Sequence, residues 1–214
     1  MKRTESPIVV EGFMFILPLC LVTAVVAWMK YVGLTIIGLA VTGFVINFFR
    51  NPERKIPDDS SAVLSPADGR VLQIEEIDMN DILTGTCKKV SIFMNVFNVH
   101  VNRIPCSGTV KHIVYEKGKF FNASLDKASE LNERNSVLLA TDDGKEILTI
   151  QIAGVIARRI VCWVKKGTNI TRGERFGLIR FGSRLEVFMP VDTEILVKAG
   201  DKVRAGETKI GCLK

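Results

Sequence analysis

The sequence contains few of the side chains that bind metal ions. It has two histidines and five cysteines in 214 residues. The cysteines lie far apart and form no C-x-x-C pair: Cys20, Cys87, Cys106, Cys162 and Cys212. No spacing typical of a zinc or iron–sulfur site can be made from them with His100 or His112. We therefore expect no metal centre, and cysteines that act as small core residues in a reducing compartment.

Basic tracts with interleaved aromatic residues are also missing. The formal net charge is +6 and aromatic residues make up 7% of the chain, but lysine and arginine are spread along it. A nucleic-acid-binding protein clusters its basic residues on one face, so we expect no nucleic-acid partner. The positive charge is consistent either with solubility alone or with attraction to anionic lipid headgroups at a bilayer.

Charged residues are absent from two long runs near the N-terminus. GFMFILPLCLVTAVVAWM fills residues 12–29, and VGLTIIGLAVTGFVINFF fills residues 32–49. As a helix each run would be about 27 Å long, close to a hydrocarbon core of about 30 Å. Residues 1–50 are therefore predicted to form an α-helical membrane hairpin. Because only two residues join the runs, a re-entrant or interfacial hairpin is the alternative.

Basic residues flank the predicted hairpin on both sides: Lys2 and Arg3 before it, Arg50, Arg54 and Lys55 after it. The positive-inside rule places such flanks in the cytoplasm. A cleaved signal peptide fits less well, because a second apolar run follows the first and no small-residue cleavage site separates them. We expect a protein of the cell membrane whose remaining domain lies on the cytoplasmic side.

Residues 51–214 have the pattern of a mainly β domain. A polar linker with prolines, NPERKIPDDSS, opens it at residues 51–61. Short β-like runs such as VLQIEEI, KKVSIFM, EILTIQIAGVI and RLEVFMP follow, separated by glycine and aspartate turns. Only residues 123–132 have a weak helical pattern. This organisation predicts a barrel or sandwich.

Two short patterns recur within this domain. The pattern V-x-x-G-x-x-(I/V)-x-x-G-E fills residues 164–174 and again 197–207, and P-x-x-G-x-V fills residues 66–71 and 105–110, with a looser copy at 190–195. Glycines at such regular places are typical of tight turns that build a scaffold. The units resemble the hammerhead repeats of biotinyl and lipoyl domains. That likeness implies an alternative function, a non-enzymatic adaptor, although no lysine has the Met-Lys-Met setting of a modified carrier.

Three local sequences contain side chains suited to catalysis. They are the turn Ser65–Gly69 with Asp68, the stretch Phe97–Pro105 with His100, and the short segment Phe181–Arg184. Taken singly, each has an ordinary structural explanation as a turn, a partly buried histidine or a hairpin. Their significance depends on their occurring together.

Together these segments resemble the phosphatidylserine decarboxylases, especially the short bacterial and archaeal branch of that family. The matching stretches occur in the family's order: FFRNPERKIP, SPADGRV, NVFNVHVNRIPCSG, FNASLDKASELNERN and RFGSRLEVFMP. The resemblance implies a proenzyme that cuts itself between Gly182 and Ser183 into a β chain, 1–182, and an α chain, 183–214. Ser183 would become a covalent pyruvoyl cofactor.

The resemblance also implies roles for individual residues. Ser183 would attack the carbonyl of Gly182, His100 would act as the base, and Asp68 would be the acid that orients it. The pyruvoyl group would then form a Schiff base with phosphatidylserine, which loses carbon dioxide and leaves as phosphatidylethanolamine. The implied partners are this membrane lipid and the second fragment of the chain, in an α/β heterodimer, with further homo-oligomerisation left open.

Two positions depart from the pattern of the long family members. Phe97 stands where they carry another histidine, and Arg184 stands where they carry threonine after the Gly-Ser pair. By charge and motif position, we expect the substrate phosphate or carboxylate to contact Arg103, Lys119 and Arg134. The alternative within enzymes is the same pyruvoyl chemistry on a related aminophospholipid such as archaetidylserine.

Overall fold

The computed structural model describes residues 6–118, 132–154, 159–180 and 183–214. The chain divides between Glu53 and Arg54 into two compact units. The weak helix predicted at residues 123–132 lies, apart from Asn132, outside the described residues. The N-terminal unit is helical, and the larger unit is built from strands.

The N-terminal unit consists of two apolar helices, α1 (Val10–Trp28) and α2 (Val32–Phe48). Between them the chain reverses at Lys30, which has a φ of 62°. The helices approach closely, because a Cβ on Gly38 of α2 would lie 2.6 Å from Thr23 Oγ1 of α1. By length and composition α1 is able to cross a membrane, and α2 is apolar but two residues shorter.

The larger unit contains fourteen strands among its described residues. In chain order they are β1 (Ala62–Leu64), β2 (Gly69–Asn80), β3 (Thr84–Met94), β4 (Val101–Arg103), β5 (Gly108–Glu116), β6 (Arg134–Ala140), β7 (Glu146–Ala153), β8 (Ile160–Cys162), β9 (Asn169–Ile170), β10 (Arg175–Ile179), β11 (Ser183–Pro190), β12 (Glu194–Ile195), β13 (Lys202–Val203) and β14 (Lys209–Cys212).

These strands form one large antiparallel sheet and two small ones. The large sheet has the order β13-β2-β3-β11-β7-β6-β5-β9 and curls around the core, and the small sheets are β1-β14-β12 and β4-β10-β8. The prediction of a mainly β domain is confirmed. Short strands with frequent turns suit an antiparallel sheet, because such strands can be joined by tight hairpins.

Strand β11 lies at the centre of the large sheet, between β3 and β7. Leu185, Val187 and Met189 on one face are fully buried in the main hydrophobic core. The alternate residues Arg184 and Glu186 point to the other face and are buried there as well. A strand buried on both faces positions its first residue, Ser183, rigidly.

The two V-x-x-G copies adopt the same local structure. Gly200 N–H donates to the carbonyl of Val71 at 2.8 Å, and Gly167 N–H donates to the carbonyl of Val110 at 2.8 Å. Both glycines have positive φ, 92° and 82°. The turn of each copy is therefore attached to the start of its own P-x-x-G-x-V strand.

All five cysteines are free thiols. Cys87 and Cys106 are buried, and Cys162 is partly buried. Burial raises the pKa of the Cys106 thiol to about 12, so this thiol is protonated at neutral pH and has little nucleophilic character.

Candidate active site

The backbone brings the three catalytic candidate segments together. Arg103 N–H donates to the carbonyl of Pro66 at 2.9 Å, which joins the Ser65–Gly69 turn to β4. Ile179 N–H donates to the carbonyl of His100 at 3.4 Å, close to the start of β11 in the chain. The turn at residues 65–69 and the chain just before β11, more than a hundred residues apart in sequence, are therefore both hydrogen-bonded to the segment that contains His100.

Ser183 is completely buried at the start of β11. It lies opposite Met94 of β3 on one side and Ala153 of β7 on the other. Its hydroxyl has no hydrogen-bond partner among the residues that the structure describes. A buried hydroxyl without a partner costs about 1–3 kcal/mol, so such groups are uncommon outside sites that use them. Gly182, the other half of the predicted cleavage site, lies outside the described residues.

His100 is also completely buried, at the start of β4. Its Nδ1 lies 2.9 Å from the carbonyl oxygen of Asn98. A carbonyl oxygen can only accept, so Nδ1 carries the proton of this hydrogen bond. In the neutral ring Nε2 is then the unprotonated nitrogen, which is the form that a general base requires.

Asp68 is bound by groups other than the imidazole. Its carboxylate accepts two hydrogen bonds from the Arg54 guanidinium, at 3.0 and 2.8 Å, and one from the Ala205 N–H at 2.8 Å. Between the two described side chains of Asp68 and His100 there is no hydrogen bond. The carbonyl of Asn98 contacts the ring nitrogen, and the role of Asp68 as the acid that orients His100 stays a prediction.

Glu207 extends the ion pair of Asp68 with Arg54. One of its carboxylate oxygens lies 3.3 Å from Arg54 Nη1, and the other accepts from the Lys55 N–H at 3.2 Å. Burial alone would raise the pKa of Glu207, but these hydrogen bonds and the nearby positive charge outweigh it and hold the pKa below its ordinary value. Arg54 is thus held between two carboxylates.

The three cations expected to contact substrate have different surroundings. Arg103 is buried, and its guanidinium donates to the carbonyl of Gly173 at 2.7 Å. Arg134 forms an ion pair with Glu116, and its hydrogen bond lowers the pKa of that carboxyl group. Lys119 lies outside the described residues. That Arg103, Lys119 and Arg134 contact the substrate stays a prediction.

Several polar residues behind the site were not identified from the sequence. Arg184 is fully buried, forms an ion pair with Glu186 at 2.9 Å and donates to Ser91 Oγ at 2.9 Å. On the core side Gln151 donates to Asn102 Oδ1 at 2.8 Å. The only signal for Arg184 in the sequence was its place beside the Gly-Ser pair, and Gln151 lies in a strand with no motif.

Comparisons with known proteins agree with these motifs. The sequence model of the family described as phosphatidylserine decarboxylase matches residues 41–211. A phosphatidylserine decarboxylase proenzyme of Syntrophus aciditrophicus is 55% identical over 210 residues, which are 98% of this chain and 99% of that protein. Proteins with the same name are similar in Desulfotalea psychrophila, with 49% identity over 99% of both chains, and in Geobacter metallireducens, with 43% identity over the whole of both.

Proposed function

The chain belongs to the phosphatidylserine decarboxylase family, and on that basis we propose that it is a proenzyme that converts phosphatidylserine to phosphatidylethanolamine with a pyruvoyl group made from its own Ser183. The observation that carries the proposal is the fully buried hydroxyl of Ser183, which lacks a partner among the described residues and stands at a Gly-Ser pair in the central strand. Most buried hydroxyls are hydrogen-bonded, so an unpartnered one at this pair supports a role in the reaction.

Self-cleavage requires a base for the hydroxyl proton of Ser183. His100 suits this role, because its Nδ1–H is bound by the Asn98 carbonyl and its Nε2 is then unprotonated. The Ser183 oxygen bonds to the Gly182 carbonyl carbon while the peptide C–N bond breaks, and the proton taken up by His100 passes to the freed nitrogen, which leaves an ester and an amine. Removal of the Ser183 α-proton expels the Gly182 carboxylate and gives dehydroalanine. Tautomerisation of this enamine and hydrolysis of the resulting imine release ammonia and leave the pyruvoyl group.

The surroundings of Ser183 fit such a group. Its carbonyl, once formed, supplies a sink for the electrons released when carbon dioxide leaves the substrate. The fully buried side chains of Met94, Ala153 and Leu185 exclude water from the start of β11. His100, protonated during the reaction, is the candidate donor of the proton that replaces carbon dioxide.

The remaining parts of the proposal concern organisation. The hairpin of residues 1–50 anchors the protein in the membrane, with α1 long enough to cross it, and keeps the domain of residues 51–214 on the cytoplasmic side beside its lipid substrate. In that domain the paired turns at Gly167 and Gly200 belong to hammerhead-like repeats. After cleavage the β chain, 1–182, and the α chain, 183–214, stay together as a heterodimer.

Intact mass spectrometry of the purified protein tests the central step. We expect two chains that divide after Gly182, the smaller with a carbonyl-blocked N-terminus, and a single uncut chain for the Ser183→Ala variant. The cleaved protein should release carbon dioxide from phosphatidylserine and not from free serine. Wild-type protein that decarboxylates the lipid as one full-length chain would rule the mechanism out.

A further inference from the structure

A cleft of about 460 Å³ opens beside the candidate active site. Asp68 and Asn98, whose carbonyl is the partner of the His100 ring, are among its lining residues. Three cations are among its lining residues, Arg70, Lys202 and Arg204, whereas Asp68 is the one acid among them. The cleft is thus positively charged, and the charge of Asp68 is already matched by Arg54.

Two of these cations oppose each other directly in the sheet. Lys202 of β13 is the register partner of Arg70 in β2. Like charges placed directly opposite on neighbouring strands destabilise a sheet. Arg70 donates to the carbonyl of Gly200 at 3.0 Å. The carbonyl is neutral, so this hydrogen bond does not compensate the positive charge of Arg70. An anion between the two side chains would remove the repulsion.

The other copy of the repeat is an internal control for this pair. At the positions equivalent to Arg70 and Lys202 it has Thr109 and Asn169, which are register partners in the same way. The Thr109 hydroxyl donates to Asn169 Oδ1 at 2.6 Å. A neutral pair therefore satisfies the same two-strand arrangement, so the fold does not require the two cations.

The backbone contacts around the two pairs also correspond. Ser107 Oγ accepts from the Arg172 N–H at 3.0 Å, and Asp68 Oδ1 accepts from the Ala205 N–H at 2.8 Å at the equivalent place. Thr171 stands where the charged copy has Arg204. The two copies share one scaffold, and the one that borders the candidate active site differs from the other in its positive charge.

We propose that this cleft binds a phosphate group, with Arg70, Lys202 and Arg204 as its ligands. The phosphate group belongs either to the phosphodiester of a lipid headgroup or to free phosphate. Lysine and arginine bind both through charge-assisted hydrogen bonds to the phosphate oxygens. In its lipid form the inference rests on the proposed function and assigns the headgroup subsite of the same active site.

The position of the cleft suits a headgroup. Phe93 and Asn95 line it and flank Met94, the register partner of Ser183. Successive side chains of a strand point to opposite faces, so Phe93 lies on the other face of β3 from Met94. β3 ends at Met94 and β11 begins at Ser183, and opposed Cα atoms in an antiparallel pair are about 5 Å apart. Only a few covalent bonds separate the amine of phosphatidylserine from its phosphorus, so a phosphate in the cleft would hold the amine at the end of the sheet where β11 begins. Phe97, which is 67% exposed, offers an apolar surface at the rim to the rest of the lipid.

The double variant Arg70→Thr with Lys202→Asn tests the subsite, because it gives the charged copy the neutral pair of the other copy. We expect complete self-cleavage, an almost unchanged kcat, and a KM for phosphatidylserine in neutral-detergent micelles that rises at least about tenfold. The matched control is Lys165→Asn with Lys166→Asn, which removes two exposed charges from the other copy. The control should leave KM within about twofold of the wild-type value.

Calorimetry on the uncut Ser183→Ala protein separates this inference from the proposed function, because it needs no catalysis. Glycerophosphoserine and inorganic phosphate are titrated separately at constant ionic strength. Tighter binding of glycerophosphoserine would assign the cleft to the lipid headgroup, and tighter binding of inorganic phosphate would assign it to free phosphate. In either case the affinity should fall about tenfold in the Arg70→Thr, Lys202→Asn background.

Three results would overturn the proposal: neither probe binds, the neutral pair leaves both affinities unchanged, or the control variant weakens binding as much. By contrast, a wild-type chain that is never cut but whose uncut form binds phosphate through Arg70 and Lys202 would contradict the proposed function and leave the phosphate site standing.

Discussion

Among single residues, the position of one proton decides what His100 can do. The carbonyl of Asn98 holds the hydrogen of Nδ1, so the neutral ring has its lone pair on Nε2. Ser183 and His100 were both candidates from their motifs. Both side chains are completely buried, and the roles of His100 as the base and Asp68 as the acid beside it stay predictions.

Replacing His100 with glutamine should slow self-cleavage at least about 100-fold, because an amide donates a hydrogen bond but does not take up the Ser183 proton. The time course of chain cutting after cell-free synthesis measures this rate. As a control, Ser183→Ala proteins with and without His100→Gln should unfold at similar urea concentrations. Cutting at the wild-type rate would place the base elsewhere.

The ion pair of Arg54 with Asp68 is the second testable contact among single residues. Its side chains are only 8% and 13% exposed. Breaking a buried pair leaves one charge uncompensated, so Arg54→Met should lower the free energy of unfolding by about 3 kcal/mol. Asp68→Asn should cost less, because Glu207 still pairs with Arg54. In the uncut Ser183→Ala background, urea unfolding of both single variants and the double variant gives the coupling. Strictly additive losses would mean that the pair contributes nothing.

Among the elements of the fold, the paired turns show how one local sequence serves two places. Gly200 and Gly206 belong to the second copy and have φ values of 92° and 75°. A Cβ on Gly200 would meet nothing within 4 Å, whereas a Cβ on Gly206 would lie 2.8 Å from Cδ of Arg103. Glycine is needed at position 200 only for its positive φ. At position 206 it is needed also because a side chain would collide with Arg103.

This difference predicts unequal costs for the same substitution. Gly200→Ala should destabilise the protein by about 1 kcal/mol through its left-handed backbone alone. Gly206→Ala should cost more, because Arg103 is buried and bound to Gly173 and has little freedom to move. Gly144→Ala, at an open position with a φ of 82°, is the matched control. Equal urea midpoints for all three variants would contradict the packing argument.

In the molecule as a whole, the central place of β11 would determine how firmly the two fragments of the proposed cleavage are held together. Its register partners run from Ser183↔Met94 to Pro190↔Cys87 along β3, and from Ser183↔Ala153 to Phe188↔Leu148 along β7. The α fragment would therefore begin inside the sheet and contribute Leu185, a fully buried residue, to the main core. Separation of the two fragments requires this core to open.

The two fragments should accordingly co-elute from a size-exclusion column in mild detergent and separate in concentrated guanidinium chloride, where the core is unfolded. The fragments in each fraction can be identified by their masses. Uncut Ser183→Ala protein should elute at the same volume as the cleaved wild type. A free α fragment in mild detergent would contradict the central pairing of β11.

The structural features that can be predicted from the sequence are those that depend on residues close together in the chain. Apolar runs without charge predict α1 and α2, and short alternating stretches predict a mainly β domain, because hydrophobic periodicity and turn chemistry act over a few positions. Long-range pairing depends on which strands become neighbours, and no local pattern encodes that choice. Three features are therefore decided only by the tertiary structure, when the strands pair. They are the hydrogen bond of Asp68 with Arg54, the burial of Arg103, and the pairing of Arg70 with Lys202, which lies 132 positions further along the chain.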